Sequence, residues 1–445
     1  MNMARLRPSP LIVILMLSVV LRVGVACYLG DSVPPAKDET SYSQLAARLA
    51  SGHGYSFDRP WYPFTPAETP TAHWSFLYTA FIAGIYTVFG VHPLAARLVG
   101  AVLGGVLLPL MVYWLGRRMF PGQERLALLA AGCSAFYAYF ILYAAQLLTE
   151  TFYIVVLLWS LEQSMALESK LRSKSSKGTD PAPGLTLGLS LGMAALLRQS
   201  ILPWVVVLFA WLLWVGYRQS QLRQALMALS ISGLTLALCL VPFTIRNYLV
   251  YDDFLLLNSN AGYAMYSAQH PLHGTDFQAF AAAPLPPDLD RQLNEAQLDR
   301  ELLRRGLQFV IRDPGRYLLL SFSRVKDYFM FWPSAESTPL YNVGRVISFG
   351  LFLPFMIYGL WCSRRDWRRY GLLYGFIAFY SLLHIFTWAM HRYRLPVDGV
   401  LMLFAALGLA DLGARWFGVG QMAGESANQQ ISKSANQRIR EPGSG

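Results

Sequence analysis

Apolar runs about twenty residues long recur through most of this chain, and no other feature restricts its fold so strongly. A run of that length, wound as a helix, matches the hydrocarbon thickness of a bilayer. A helix also satisfies its own backbone in lipid, where water is absent. Of the 445 residues, 54% are hydrophobic and 14% are charged, against about 25% charged in a soluble domain. The expectation is an all-α polytopic membrane protein. Secreted disulfide scaffolds, nucleic-acid-binding modules and disordered chains are excluded by the same arithmetic. The four cysteines, Cys27, Cys133, Cys239 and Cys362, sit far apart inside apolar runs with neither CxxC nor zinc-type spacing. They read as small buried hydrophobes.

Candidate spans fall at about 10–29, 94–116, 126–145, 150–167, 184–198, 200–217, 225–244, 345–362, 370–389 and 395–414. Arg5 and Arg7 before an apolar stretch resemble the start of a signal peptide, but the stretch runs on past Leu21 and carries Arg22, so a retained first helix is expected. With the N-terminus inside, the cytoplasmic connections carry Arg117/Arg118/Arg125, Lys170/Arg172/Lys174/Lys177, Arg218/Arg223, Arg364/Arg365/Arg368/Arg369 and a basic tail. Every short inside loop is then basic, which accounts for the net charge of +11 by the positive-inside rule. Two weaker apolar stretches, 74–90 and 316–333, are expected as helices in the outer interface, because counting 74–90 as a span would invert the basic loops.

This topology divides the chain into an N-terminal membrane module (1–246) with a large first outer loop (30–93), a second outer loop (247–344), C-terminal spans (345–418) and a polar tail (419–445) expected to be disordered. It also sorts the charges at helix ends. Arg97, Glu150, Arg198, Arg246, Arg392 and Arg394 all fall at the outer ends of their spans. One at a time such residues snorkel to the interface. Together they describe a cluster at headgroup level, and guanidinium groups hold phosphate through planar charge-assisted hydrogen bonds. Asp38, Glu39 and Glu150 would oppose phosphate binding directly, so they read as a base or as partners that orient the arginines. Asp38 and Glu39 also suit the first turn of a helix, and a capping role for them stays open. A divalent ion held by these three acids stays open as well, although no ligand spacing calls for one, and no cofactor is assigned.

The string Asp38-Glu39-Thr40-Ser41-Tyr42-Ser43-Gln44-Leu45-Ala46, followed by Ser51-Gly52-His53-Gly54-Tyr55, resembles the first extracytoplasmic loop of membrane glycosyltransferases with the GT-C fold. The likeness is greatest to the family 39-like group, which includes protein O-mannosyltransferases and the aminoarabinose transferases of lipid A. It continues in order at Phe89-Gly90, Ala95-Ala96-Arg97-Leu98, Leu148-Thr149-Glu150, Leu197-Arg198, Pro242-Phe243-Thr244-Ile245-Arg246-Asn247-Tyr248 and His391-Arg392-Tyr393-Arg394-Leu395-Pro396.

The resemblance implies a catalytic carboxylate at Asp38 with Glu39 beside it, further site residues at Arg97 and Glu150, and a sugar donor carried on polyprenyl phosphate. It implies transfer at the extracytoplasmic face of the plasma (inner) membrane, with both termini cytoplasmic. The expected function is therefore an inverting glycosyltransferase, with Arg97, Arg198, Arg246, Arg392 and Arg394 as donor-phosphate ligands. Tyr42, His73, His391 and Tyr393 are expected to line the site or touch the acceptor. The family's Lys-Pro or His-Pro-Pro pattern after the first loop is replaced here by His73-Trp74-Ser75-Phe76, so lipid, glycan and protein acceptors all stay open. The rival readings are a secondary transporter for an anionic solute and a lipid-binding membrane protein. A transporter favours midplane charges and internal repeats, neither of which this sequence displays.

Overall fold

The computed structural model describes residues 9–33, 38–173, 180–278, 281–289, 293–335 and 337–416. The expected disordered tail, Arg5, Arg7, Lys174 and Lys177 lie outside these residues. The described chain is helical from end to end. The N-terminal half contains α1 (Pro10–Leu29), α2 (Asp38–Ala50), α3 (Phe76–Phe89), α4 (Pro93–Met119), α5 (Glu124–Phe136), α6 (Ala138–Ala145), α7 (Glu150–Ser173) and α8 (Ala182–Leu197). Then come α9 (Leu202–Arg218) and α10 (Leu222–Tyr251), and the short α11 (Ala261–Gln269), α12 (Glu295–Arg312), α13 (Pro314–Tyr328) and α14 (Pro339–Arg345). The last three are α15 (Leu351–Ser363), α16 (Trp367–Phe386) and α17 (Leu395–Trp416).

Six helical stretches among the described residues are long and apolar enough to cross a bilayer unaided, or seven if α5 and α6 form one bent span. This is fewer than the ten runs in the sequence, for physical reasons that differ from run to run. The central helix α7 mixes Glu150, Glu162 and Glu168 with its apolar residues and buries most of its length against neighbours, so it does not present an all-apolar surface. With only 16 residues, α8 is short. Residues Pro339–Phe386 read as one 48-residue stretch, yet Ser363 Oγ and the Tyr374 hydroxyl are 2.7 Å apart. Eleven residues of straight helix rise roughly 16 Å, so the chain folds back at Arg364–Asp366 and α15 and α16 run as separate helices.

The run expected at 126–145 is broken at Tyr137, where α5 and α6 meet at 57°. A break inside lipid frees backbone carbonyls that water cannot reach. Arg22 of α1 takes them. Its guanidinium donates to Ala135 O at 3.1 Å, to Ser134 O at 3.3 Å and to Ser18 Oγ at 2.6 Å. On the other side of the break, Tyr139 N donates to Ser348 Oγ at 2.9 Å.

Small residues allow the remaining helices to approach closely, the usual device where lipid offers no hydrophobic drive. Gly184, Gly188 and Gly192 form a stripe on α8 against α10, where an added Cβ would strike Ala228 O, the Ser232 backbone and Cys239. Gly359 of α15 and Gly408 of α17 do the same at their crossing, against Phe404 O and Phe355 O. This crossing fixes α17, which directly follows the turn carrying Arg392 and Arg394.

The two ends of the bundle differ in character. At one end Arg118 pairs with Glu162, Arg172 with Glu168, and Phe120 packs on Tyr370 beside the basic Arg364–Arg369 turn. At the other end, 30–93 and 247–344 interlock. Glu295 Oε1 accepts from Thr71 Oγ1 (3.1 Å), Ala72 N (2.8 Å) and Ser259 Oγ, while Asn258 Nδ2 donates to Ala72 O and Trp74 O at 3.1 and 2.6 Å. Burial raises the Glu295 carboxyl despite these donors. Within the second loop, α11 crosses α12 with Gly262 and Gly306 at the contact. Asp299 accepts from Gly262 N at 2.7 Å there, and burial pushes its carboxyl up to about 7.

Gly359→Val is expected to lower stability by about 2 kcal/mol or more, since neither backbone at the crossing can yield. Thermal unfolding in detergent measures it, and an unshifted Tm would show that the α15–α17 contact does not fix α17.

Candidate active site

Asp38 opens α2, directly at the floor of the interlocked loops. Its Oδ2 accepts from Arg392 NH1 at 2.6 Å. The same NH1 lies 3.9 Å from Glu150 Oε1, and Glu150 Oε1 pairs with Arg198 NH2 at 2.6 Å. Two carboxylates and two guanidinium groups thus alternate in one chain: Asp38, Arg392, Glu150, Arg198. Four separate elements supply them, α2, the turn before α17, the start of α7 and the turn after α8. The chain is closed at Glu150, whose side chain is 2% exposed, and open at Asp38, which is 34% exposed.

Aromatic rings hold the guanidinium groups in place. Arg198 lies over Tyr153 and Tyr393 at 5.8 and 5.5 Å, and Arg392 over Tyr393 at 5.2 Å. Such contacts favour cations in partly desolvated sites. Arg198 Nε also donates to Thr149 Oγ1 at 2.9 Å. Tyr393 stacks in turn on His384, with centroids 5.1 Å apart. Burial alone would raise the Asp38 carboxyl, but Arg392, then Arg198, outweigh it and hold Asp38 below the usual carboxylate range. At physiological pH Asp38 is ionised.

His73 and Tyr42 form the wall next to Asp38. The His73 ring packs edge-on against Phe64 and Trp74 at 5.8 and 5.2 Å, and burial lowers its pKa to about 4, leaving a neutral imidazole. Its Nδ1 is buried without a hydrogen-bond partner among the described residues. Tyr42 lies one helical turn after Asp38, with its ring edge-on to Trp74 and Tyr78 at 5.5 and 5.1 Å. Phe64 in turn meets Tyr263, and Tyr263 meets Tyr62, at 5.9 and 6.0 Å, so both outer loops contribute to this wall.

The other expected site residues are placed elsewhere. Glu39 Oε2 pairs with Arg97 NH1 at 2.9 Å, and both side chains are almost fully buried. That pair clasps the irregular turn between α6 and α7: Leu147 N donates to Glu39 Oε2 at 3.0 Å, and Arg97 NH1 donates to Ala145 O at 3.0 Å. Arg97 NH2 reaches Ser32 O at 2.9 Å. Arg394 is fully buried with Asp398, which also accepts from the Tyr137 hydroxyl at 2.7 Å, and its guanidinium lies over Phe349. Arg246 donates to Asn247 Oδ1 and lies among Tyr55, Phe243 and Tyr251. The His391 ring packs on Tyr139 at 5.8 Å.

Several contributors were not singled out from sequence. Thr149 and Tyr153 flank Glu150 on α7 and follow from its helical register. Asp398 was available by the same rule, four residues after Arg394. Asn258 and Glu295, which pin the His73–Trp74 segment, carried no local signal. Among the described residues, no group of three or more His, Cys, Asp and Glu side chains is placed to hold a metal ion.

Removing one partner of a buried ion pair typically costs about 3–5 kcal/mol, because the other charge is left uncompensated. Glu39→Gln is therefore expected to destabilise the protein by about 3 kcal/mol, and adding Arg97→Met is expected to restore much of the loss. Thermal unfolding of the single and double variants measures both. Full stability of Glu39→Gln with lost donor binding would instead move this pair into the binding site.

Residues 73–245 match the family model described as dolichyl-phosphate-mannose-protein mannosyltransferase. No curated protein sequence matches the chain. Among solved structures, the chain resembles the archaeal oligosaccharyltransferase AglB from Archaeoglobus fulgidus, in complex with an inhibitory peptide and a dolichol-phosphate. The TM-score is 0.56 at 16% identity, over 98% of this chain and 52% of that one. It also resembles ArnT from Cupriavidus metallidurans bound to undecaprenyl phosphate, with TM-score 0.52 at 15% identity, over 94% of this chain and 63% of that one. The chain thus spans about half the length of the oligosaccharyltransferase. With strands absent among the described residues and the helical order shared along almost its whole length, this chain has the GT-C fold of membrane glycosyltransferases.

Proposed function

We propose that the protein is an inverting glycosyltransferase that moves a sugar from a polyprenyl-phosphate carrier to an acceptor hydroxyl. The observation that carries this reading is the four-charge chain: an ionised, partly open carboxylate beside two guanidinium groups fixed by aromatic rings. Asp38 takes the proton of the acceptor hydroxyl as that oxygen bonds to the anomeric carbon. The bond from that carbon to the phosphate oxygen breaks on the opposite face, and the lipid phosphate leaves with the electron pair. Arg198 and Arg392 stabilise the negative charge that develops on it. Because one displacement occurs, the configuration at the anomeric carbon inverts.

The dolichol-phosphate and undecaprenyl phosphate in the two structures of like fold support a lipid-phosphate donor. Arg97, Arg246 and Arg394, committed to partners of their own, are assigned to the framework in this reading. The side on which the site lies follows from charge. Arg118, Arg172 and the Arg364–Arg369 turn mark one end of the bundle as cytoplasmic, and the site lies at the other. This reading puts the active site on the extracytoplasmic face of the plasma membrane, with a lipid, glycan or protein as acceptor.

An N-cap requires only a side-chain oxygen, which Asn supplies about as well as Asp, whereas a base must accept a proton. Asp38→Asn is expected to keep expression and Tm while losing at least about a hundredfold in turnover, read by transfer from a synthetic polyprenyl-phosphate sugar in proteoliposomes. Near wild-type transfer would remove Asp38 from the chemistry. For topology, Ser51→Cys and Ser220→Cys in a cysteine-free background are expected to react with an impermeant thiol reagent from the outside and the inside of cells, respectively. Labelling of Ser220→Cys in intact cells would invert the assignment.

A further inference from the structure

Arg392 has two claims upon it. In the structure its NH1 is held by Asp38 Oδ2 at 2.6 Å, yet in the reaction proposed above the same guanidinium receives the donor phosphate. We propose that Asp38 occupies the phosphate's place on Arg392, so that binding of the lipid phosphate moves the carboxylate off the guanidinium and turns it towards the acceptor hydroxyl. This rests on the function proposed above and adds an order of events to it.

Charge balance supports the exchange. Asp38, Glu150, Arg198 and Arg392 sum to zero, so a phosphate oxyanion that joins them must repel one of the carboxylates. Glu150 is 2% exposed and held by Arg198 at 2.6 Å. Asp38 is 34% exposed, and Arg392 is its sole ion-pair partner among the described residues. Asp38 is therefore the group that yields. The guanidinium also has a donor to spare: Arg392 Nε is buried without a hydrogen-bond partner among the described residues.

Asp38 has somewhere to go. As the first residue of α2 it lies at the positive end of that helix's dipole, which favours a carboxylate. Loss of the guanidinium also removes the main stabiliser of its ionised form and makes it the stronger base. Deprotonation of the acceptor thus waits until the sugar donor is in place.

The test is a double-mutant cycle on binding of undecaprenyl phosphate to the full-length protein in nanodiscs. If Asp38 competes for Arg392, Asp38→Asn is expected to bind about tenfold tighter than wild type, the gain for a site occupied by its competitor about nine-tenths of the time. In an Arg392→Gln background the same substitution is expected to change affinity by less than about twofold. Should Arg392→Gln fail to fold, Arg392→Lys replaces it, with the gain expected to fall below about threefold because an ammonium lacks the paired donors. Equal affinity of Asp38→Asn and wild type would overturn the proposal alone. A tenfold gain that persists without Arg392 would assign the effect to through-space repulsion and overturn the exchange. Absence of binding in every variant would overturn the lipid-phosphate donor, and this proposal with it.

Discussion

Glu39 and Arg97 form the interaction on which the arrangement of the site depends. Between α6 and α7 the backbone leaves helical geometry at Gln146–Thr149, where the chain is buried among its neighbours and free N–H and C=O groups find little water. The Glu39 carboxylate takes the N–H of Leu147 and the Arg97 guanidinium takes the carbonyl of Ala145, while the two side chains neutralise each other. One pair therefore ties α2, α4 and the α6–α7 turn together. The turn in turn places Glu150 at the start of α7, and α2 places Asp38 one residue before Glu39. Both acids of the four-charge chain inherit their positions from this clasp.

The same logic recurs one break earlier. At Tyr137 the carbonyls of Ser134 and Ala135 are freed, and Arg22, deep in the apolar α1, satisfies them. A charge inside a span is usually a marker of function. Here it supports an interrupted helix, and that interruption lets Tyr137 reach Asp398 and so steady Arg394. Arg22 and Arg97 thus serve irregular backbone, while Arg198 and Arg392 remain on the open side of the site.

The outer loops complete the site by a different device. Neutral side chains and one half-buried acid, Glu295, stitch 70–74 to 258–260 and α12. The segment carrying His73 and Trp74 is thereby held between the two loops and presented next to Asp38. Its aromatic neighbours come from both loops, Tyr62 and Phe64 from one and Tyr263 from the other. The wall beside Asp38 is a shared surface, and neither loop forms it unaided.

The sequence by itself determined the membrane class, the positions of the apolar helices and the sorting of basic residues, because hydropathy and loop charge act locally along the chain. It also marked Asp38, Glu150, Arg198, Arg392 and Tyr393, which the fold brings together. What it could not separate were those arginines from Arg97, Arg246 and Arg394, since all share the same residue type and the same helix-end position. Partners far away in sequence made that division: Glu39 for Arg97, the Tyr55 ring for Arg246, and Tyr328 and Phe349 for Arg394. The breaks at Tyr137 and Gln146 were equally invisible, since no local residue demands them. They exist because Arg22, Glu39 and Arg97 arrive from other helices to satisfy the backbone, and only the tertiary structure brings those groups within reach.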